Sequence, residues 1–225
     1  MSFPIICLSC GAPSAPSVGI CPFCKSVQSV KKVSPTDATL NSIGRLYVDG
    51  KLDQVLVLTR AAEKSNAKLL KNPKFALLYA KILIEADGPS SKIRSLLAHA
   101  LLDDPENQDC IEYMEVIEAK SNFSREISDL GELALQNIIR RSPKNVHALF
   151  LLGSHLFWVQ GETQKSLLYL EQCVRLRPNF LRALACLGAI YKKVGQQQAT
   201  RVFKRCAVLE NNNEMKAYFQ KLAVS

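Results

Sequence analysis

Two stretches in the C-terminal half of the chain repeat the same pattern. Residues 146–179 read VHALFLLGSHLFWVQGETQKSLLYLEQCVRLRPN, and residues 181–212 read LRALACLGAIYKKVGQQQATRVFKRCAVLENN. Each has Leu-Gly in its first half, an apolar residue three positions after that glycine, and a second glycine further on. The apolar residues recur at steps of three and four, the period of an amphipathic helix. The repetition therefore predicts stacked helical hairpins that cover each other's apolar faces.

The second halves of the two stretches share a small, large, small order. Ser166, Leu170 and Cys173 are followed by Pro178 in the first copy, and Ala199, Phe203 and Cys206 repeat the order in the second. This pattern resembles the tetratricopeptide repeat (TPR), in which a small residue of the first helix lets the second helix pack closely. Weaker copies lie at 37–66, 73–107 and 108–145, and a capping helix is expected at 213–223. The resemblance implies a mostly α fold, a right-handed TPR-like α-solenoid of about five helical hairpins plus the capping helix.

Four of the eight cysteines form two pairs near the N-terminus. Cys7 and Cys10 make one C-x-x-C pair, Cys21 and Cys24 make the other, and ten residues separate the pairs. A two-residue spacer lets both sulfurs of a pair reach one ion, and four thiolates complete a tetrahedron. We predict one structural Zn²⁺ per chain held by these four residues, with iron as the alternative because tetrahedral sulfur ligation suits both metals. Such a closed site leaves no open position for catalysis.

The same segment resembles the short zinc-ribbon family, whose members share its layout of C-x2-C-G, a ten-residue gap and C-P-x-C. The resemblance covers about residues 3–30, and Lys25 stands where the family usually has a second glycine. It implies a small β-hairpin module used for folding or docking. The expected organisation is a zinc ribbon at 1–30, a linker at 31–36 and a TPR-like helical repeat domain at 37–225.

The location of the protein is inferred from its cysteines and its apolar segments. The remaining cysteines stand singly on predicted helices, whereas a disulfide framework normally occurs in short secreted chains. Prolines interrupt the apolar N-terminus, and the most apolar window elsewhere, 148–159, is shorter than the roughly twenty residues that a membrane span needs. We therefore expect a cytoplasmic protein with neither a signal peptide nor a membrane span.

A stack of hairpins leaves an extended concave surface lined by first helices. From the two best copies we expect aromatic and basic side chains on this partner-binding groove: His147, Phe150, Phe157, Trp158, Arg182, Lys192 and Lys193. Such a set suits a protein or peptide partner with acidic side chains and apolar anchors. The alternatives are core packing for the two adjacent aromatic residues and a solvated face for the two lysines.

Four groove positions bear on the kind of partner. Phe150, Ser154, Ala185 and Ala189 occupy places where the family's carboxylate clamp for chaperone tails uses lysine and asparagine. The resemblance therefore disfavours a chaperone-tail receptor.

No catalytic constellation is present in the sequence: it has no glycine-rich phosphate loop, no H-E-x-x-H and no G-x-S-x-G, and its three histidines are scattered. We predict a non-catalytic protein–protein interaction adaptor or scaffold rather than an enzyme. Its repeats would bind a partner, and its zinc ribbon would be a structural or docking module.

The alternative function is a nucleic-acid-associated regulator that uses the zinc ribbon and the basic C-terminal repeats. Residues 133–225 contain 14 Lys and Arg against 4 Asp and Glu, whereas residues 85–132 contain 4 against 12. The ribbon segment has only Lys25, Lys31 and Lys32 as cations through residue 33. Three lysines are few for a phosphate-binding surface, which disfavours nucleic acid as the partner.

Overall fold

The computed structural model describes residues 5–6, 13–14, 35–123 and 127–224, and the chain divides into two compact units, Met1–Ser42 and Ile43–Ser225. In the first unit, strand β1 (Ile5–Ile6) pairs antiparallel with β2 (Pro13–Ser14), with Ile5 opposite Ser14 and Ile6 opposite Pro13. The four predicted metal ligands, Cys7, Cys10, Cys21 and Cys24, lie outside the described residues. The zinc ribbon and the boundaries 1–30, 31–36 and 37–225 therefore stay predictions.

The described residues form eleven α-helices, and a 3₁₀ turn at Ala67–Lys71 that the sequence did not predict lies between α2 and α3. The first six are α1 (Pro35–Val48), α2 (Leu52–Ser65), α3 (Pro73–Glu85), α4 (Ser90–Asp103), α5 (Gln108–Phe123) and α6 (Ser128–Arg141). The others are α7 (Val146–Trp158), α8 (Thr163–Leu176), α9 (Leu181–Lys193), α10 (Gln198–Leu209) and α11 (Asn213–Leu222). Consecutive helices from α3 to α11 pack against each other, so a mostly helical, TPR-like solenoid is confirmed.

Two helical glycines explain how the last hairpins pack so closely. A Cβ added at Gly153 would lie 2.8 Å from Leu170 Cγ, and one at Gly188 would lie 2.7 Å from Phe203 Cε1. No side chain larger than hydrogen fits at either place without a shift of its neighbours. Gly44 occupies the corresponding motif position on α1, yet a Cβ there would meet no described atom within 4 Å. The first copy therefore departs from the packing of the last two.

Asparagines begin several of the helices. The side-chain oxygen of Asn145 accepts hydrogen bonds from the backbone N–H groups of His147 and Ala148, and Asn72 and Asn212 cap α3 and α11 in the same way. Such caps satisfy N–H groups that have no partner within the helix. This accounts for the asparagines before α3, α7 and α11.

None of the helices within the described ranges is both long enough and apolar enough to cross a membrane.

Candidate partner-binding cleft

Helices α7, α9 and α11 line a cleft of about 440 Å³ in the unit Ile43–Ser225. Its walls include six residues that the sequence predicted for the groove: Phe150, Ser154, Trp158, Arg182, Ala185 and Ala189. The opposite wall is formed by α11, through Met215, Tyr218 and Phe219. The cleft therefore combines predicted groove residues with a helix to which the sequence assigned only a capping role.

Small residues on α9 give the cleft its depth. Ala185 and Ala189 lie four positions apart on one helix face, and both line the cleft. At these positions longer side chains would extend into the space between α7 and α11. The alanines therefore leave room for a side chain of another molecule.

One cation of the cleft lining, Arg182, has an aromatic and an acidic neighbour. Phe150 is buried, and its ring centroid lies 4.8 Å from that of Phe180. The Arg182 guanidinium carbon lies 5.2 Å from the Phe150 centroid, and Arg182 Nη1 lies 3.5 Å from Asp87 Oδ1. An arginine held by an aromatic ring and a carboxylate loses less conformational freedom when it binds a ligand than a mobile one.

The rim of the cleft exposes large apolar side chains from two helices. Trp158 is 67% exposed, Tyr218 53% and Met215 43%. Tryptophan, tyrosine and methionine are enriched at protein interfaces, and a group of them around one concave site marks a binding surface more strongly than scattered exposed residues do. The cleft is thus the most evident candidate for a partner within the described part of the chain.

The other predicted groove residues lie outside the lining of this cleft. Phe157 is buried, its ring packs edge-on against Trp158 with centroids 4.6 Å apart, and Lys193 Nζ lies 5.3 Å from its centroid. Lys192 and Lys193 are exposed at the end of α9. His147 is fully buried in a different place.

His147 belongs to a group that we call the interior polar cluster: Tyr47, Glu85, Tyr113, His147 and Arg177. His147 Nδ1 lies 2.8 Å from the Tyr113 hydroxyl, and His147 Nε2 lies 3.3 Å from Glu85 Oε1. Tyr47 donates its hydroxyl hydrogen to the same Glu85 oxygen at 2.5 Å, and Arg177 Nε donates to it at 2.6 Å. The carboxylate therefore accepts from three side chains.

The charge states in this cluster follow from its burial. Burial lowers the pKa of His147 and outweighs the opposing effect of Glu85, so the imidazole is neutral at pH 7. Burial alone would raise the pKa of Glu85, but hydrogen bonds from His147 and Arg177 lower it, so the carboxylate is charged. A neutral imidazole that donates from Nε2 to Glu85 and accepts at Nδ1 from Tyr113 satisfies every contact. The cluster is thus one buried ion pair, Glu85 and Arg177, with neutral partners.

Single thiols lie in the helical core. Cys110, Cys173, Cys186 and Cys206 are buried and free, and burial raises the pKa of Cys186 to about 12 against the opposing effect of a hydrogen bond with Trp158. Protonated, buried thiols of this kind are inert packing residues. Across the described residues, no three His, Cys, Asp or Glu side chains come together in a way that could hold a metal ion.

Sequence reasoning missed the α11 wall and the interior polar cluster. A signal for the first was present: Met215 and Tyr218 are large apolar residues on a short C-terminal helix that also supplies the buried Phe219. No local signal marked the second, because its members are separated by up to 130 residues along the chain.

Several solved structures of other proteins match this chain at low sequence identity. TTC0263, a thermophilic TPR protein of Thermus thermophilus, matches with 14% identity and a TM-score of 0.50 over 84% of this chain and 100% of that chain. MamA matches with 20% identity and a TM-score of 0.40, covering 82% and 95% of the two chains. YrrB, described as a TPR protein with an unusual peptide-binding site, matches with 15% identity and a TM-score of 0.41, covering 81% and 90%.

No protein-family model and no curated protein matches the chain. At 14% identity the likeness to TTC0263 extends to the fold alone. The chain therefore has a TPR-like helical fold.

Proposed function

We propose that the helical repeats are a non-catalytic protein–protein interaction scaffold, and that the cleft between α7, α9 and α11 binds an apolar or aromatic side chain of the partner. The observation that carries the proposal is the exposure of Trp158, Met215 and Tyr218 around one concave site. Tryptophan and tyrosine side chains that become buried when a partner binds are enriched among the energetic anchors of interfaces.

The charges near the cleft favour an acidic partner. Residues 133–225 contain 14 Lys and Arg and only 4 Asp and Glu, and Arg182 lies in the cleft itself. Lys192 and Lys193 extend this basic character along α9. Opposite charge on the partner would speed the encounter and orient it, whereas the apolar contacts would hold the complex.

The experiment uses the single tryptophan of the chain, Trp158, as a probe at the rim of the cleft. The full-length protein is titrated with three synthetic peptides of equal length: acidic with leucine and phenylalanine, acidic with serine in their place, and basic with leucine and phenylalanine. We expect only the first to shift the tryptophan emission to shorter wavelength, because only it buries the indole against apolar groups. Equal shifts with all three, or none with the first, would contradict the proposal.

A labelled version of the first peptide then tests the residue itself by fluorescence anisotropy. Trp158→Ala should weaken its binding at least tenfold. Leu168→Ala is the matched control, because Leu168 is 69% exposed on α8 and does not line the cleft. It removes a comparable exposed apolar side chain and should leave the affinity unchanged.

We also propose that the N-terminal segment is a zinc module in which Cys7, Cys10, Cys21 and Cys24 bind the metal, with iron as the less favoured alternative to zinc. The support is the chemistry and spacing of the donor set, two C-x-x-C pairs ten residues apart. The module would be structural or would dock a second partner. The same cysteine usage supports a reducing compartment, the cytoplasm.

Elemental analysis of the purified protein tests this part. We expect one zinc per chain, lost when Cys7 and Cys21 are both replaced by serine. Cys173→Ser is the matched control, because Cys173 is a buried single thiol of the helical core, and it should keep the full metal content. Absence of both zinc and iron from the unaltered protein would refute the module.

A further inference from the structure

The turn between α1 and α2, residues 47–51, contacts parts of the chain that are far away in sequence. We call it the α1–α2 corner. Arg177 Nη2 donates to the backbone carbonyl of Tyr47 at 2.7 Å, and Asn179 Nδ2 donates to the carbonyl of Val48 at 3.3 Å. These partners lie about 130 residues apart along the chain and connect α1 to the loop between α8 and α9.

The Tyr47 side chain is recognised at both its ring and its hydroxyl. The guanidinium carbon of Arg177 lies 3.7 Å from the ring centroid, a close cation–π contact. The hydroxyl lies 2.5 Å from Glu85 Oε1 and 3.3 Å from His147 Nε2. Only 8% of Tyr47 is exposed, so its phenol group fills a socket formed by other helices.

The backbone of the corner is held as the end of a helix. The last carbonyls of an α-helix have no partner within the helix, and they carry the negative end of its dipole. Arg177 supplies both a donor and a positive charge to this end of α1, and Asn179 supplies a second donor. The loop between α8 and α9 therefore caps a helix from a distant part of the chain.

The rim of this contact is tightly fitted. Gly50 has φ +77°, and a Cβ added there would lie 2.7 Å from Asn179 Cβ and 2.9 Å from the Asn179 carbonyl oxygen. One step further out, Asn211 Nδ2 lies 3.3 Å from Asp53 Oδ2. At Gly50 the corner thus lies in close contact with the loop between α8 and α9.

The chemistry of the contact is suited to release. Hydrogen bonds, one cation–π contact and the buried phenol ring hold the corner. Each of these hydrogen bonds is exchanged for one with water on opening, so its net contribution is far below its gross strength. The buried pair of Glu85 and Arg177 would regain hydration on opening, which offsets part of the cost of separation.

We propose that the α1–α2 corner is an internal ligand of the helical repeats, which occupies a socket for a tyrosine side chain and closes that surface to other chains. Glu85, Tyr113 and His147 come from the first helices of three successive hairpins, and Arg177 closes the socket from the following loop. The socket takes a phenol whose hydroxyl can donate a hydrogen bond. Here Tyr47 of the same chain supplies that phenol. This inference is independent of the α7–α9–α11 cleft.

The test compares two glycine variants of the full-length protein by hydrogen–deuterium exchange and mass spectrometry. Gly50→Ala adds a methyl group that collides with Asn179, and it strains a positive φ. Gly195→Ala is the matched control, because Gly195 has φ +71° but no atom within 4 Å of its added Cβ. We expect Gly50→Ala to speed exchange at least tenfold in both 43–53 and 177–182, whereas Gly195→Ala leaves these segments unchanged. Unchanged exchange in Gly50→Ala would overturn the proposal.

A second variant tests the ligand class of the socket. Tyr47→Ala should speed exchange in the same two segments, and p-cresol, which restores the phenol, should slow it again more than toluene, which lacks the hydroxyl. Tyr79→Phe is the control. It removes a tyrosine hydroxyl that donates at 3.0 Å to Glu63 on the neighbouring α2 and not to the socket, so exchange in the two segments should stay unchanged. Equal effects of p-cresol and toluene would refute a phenol socket. If Tyr47→Ala does not fold, the Gly50→Ala result decides alone. Trp158→Ala, which affects only the cleft, should leave the exchange of both segments unchanged.

Discussion

Replacing Trp158 and Phe157 separately by alanine tests how α7 divides its residues between core and cleft. The two residues are adjacent in sequence, but Trp158 is 67% exposed and Phe157 only 7%. We expect Phe157→Ala to destabilise the fold strongly and Trp158→Ala to do so weakly. Only the tryptophan variant should lose affinity for the acidic peptide with apolar anchors without a matching loss of stability.

The magnitudes follow from the buried areas. Phe157 removes most of an aromatic side chain of about 200 Å² from water, worth about 3–5 kcal/mol at about 25 cal/mol per Å². Trp158 buries about a third of about 250 Å², so its truncation costs about 2 kcal/mol at most. The binding loss for Trp158→Ala should reach about 2 kcal/mol, as for an aromatic hot spot.

The assay is urea denaturation followed by circular dichroism, with peptide anisotropy on the same preparations. Leu168→Ala serves again as the control, since its exposed side chain should matter for neither measurement. If Trp158→Ala destabilises the protein as much as Phe157→Ala, the indole is a core residue and the cleft assignment is wrong. If its affinity is unchanged, the cleft is not the binding site.

Further predictions concern packing, pH and nucleic acid. In urea denaturation, Gly153→Ala and Gly188→Ala should each lower the free energy of unfolding by about 1–3 kcal/mol through overpacking. Gly44→Ala, which has open space around the added methyl group, should be neutral or stabilising by up to about 1 kcal/mol. Burial lowers the pKa of His147 below its unfolded value of about 6.5, so below that pH the unfolded state binds a proton that the folded state does not. The free energy of unfolding should therefore keep its full value above about pH 6.5 and fall below it. Urea denaturation between pH 7.5 and 5 should show a smaller fall for His147→Gln, although His155, whose pKa burial also lowers, accounts for part of it. In an electrophoretic mobility assay, the affinity for DNA or RNA should be weak and should fall steeply as salt rises. Sub-micromolar, sequence-selective binding at physiological salt would restore the nucleic-acid alternative.

The helical repeats could be recognised from the sequence because each hairpin is a local structure. Helix periodicity and the glycines at 153 and 188 depend on neighbours within about 20 residues, and the structure places those glycines against Leu170 and Phe203 as a closely packed hairpin requires. Gly44 shows the limit of this reasoning, since the same Leu-Gly-like position on α1 lacks such a contact.

The candidate site was only partly predictable, for a geometrical reason. Helix periodicity places Phe150 and Trp158 on α7, but which of two adjacent aromatics points to solvent depends on how α9 and α11 pack around them. The contribution of α11 to the cleft depends likewise on the angle at which the last helix docks.

The sequence by itself determined the helical repeats, the basic character of the last of them and the spacing of the N-terminal cysteines, because all three are properties of residues close together in the chain. Only the tertiary structure decided that His147 faces Tyr47 and Glu85 instead of a partner, and that Arg177 caps α1. Contacts between residues about 100 or 130 positions apart leave no periodic trace in a single sequence. They arise when the stacked hairpins bring their first helices together.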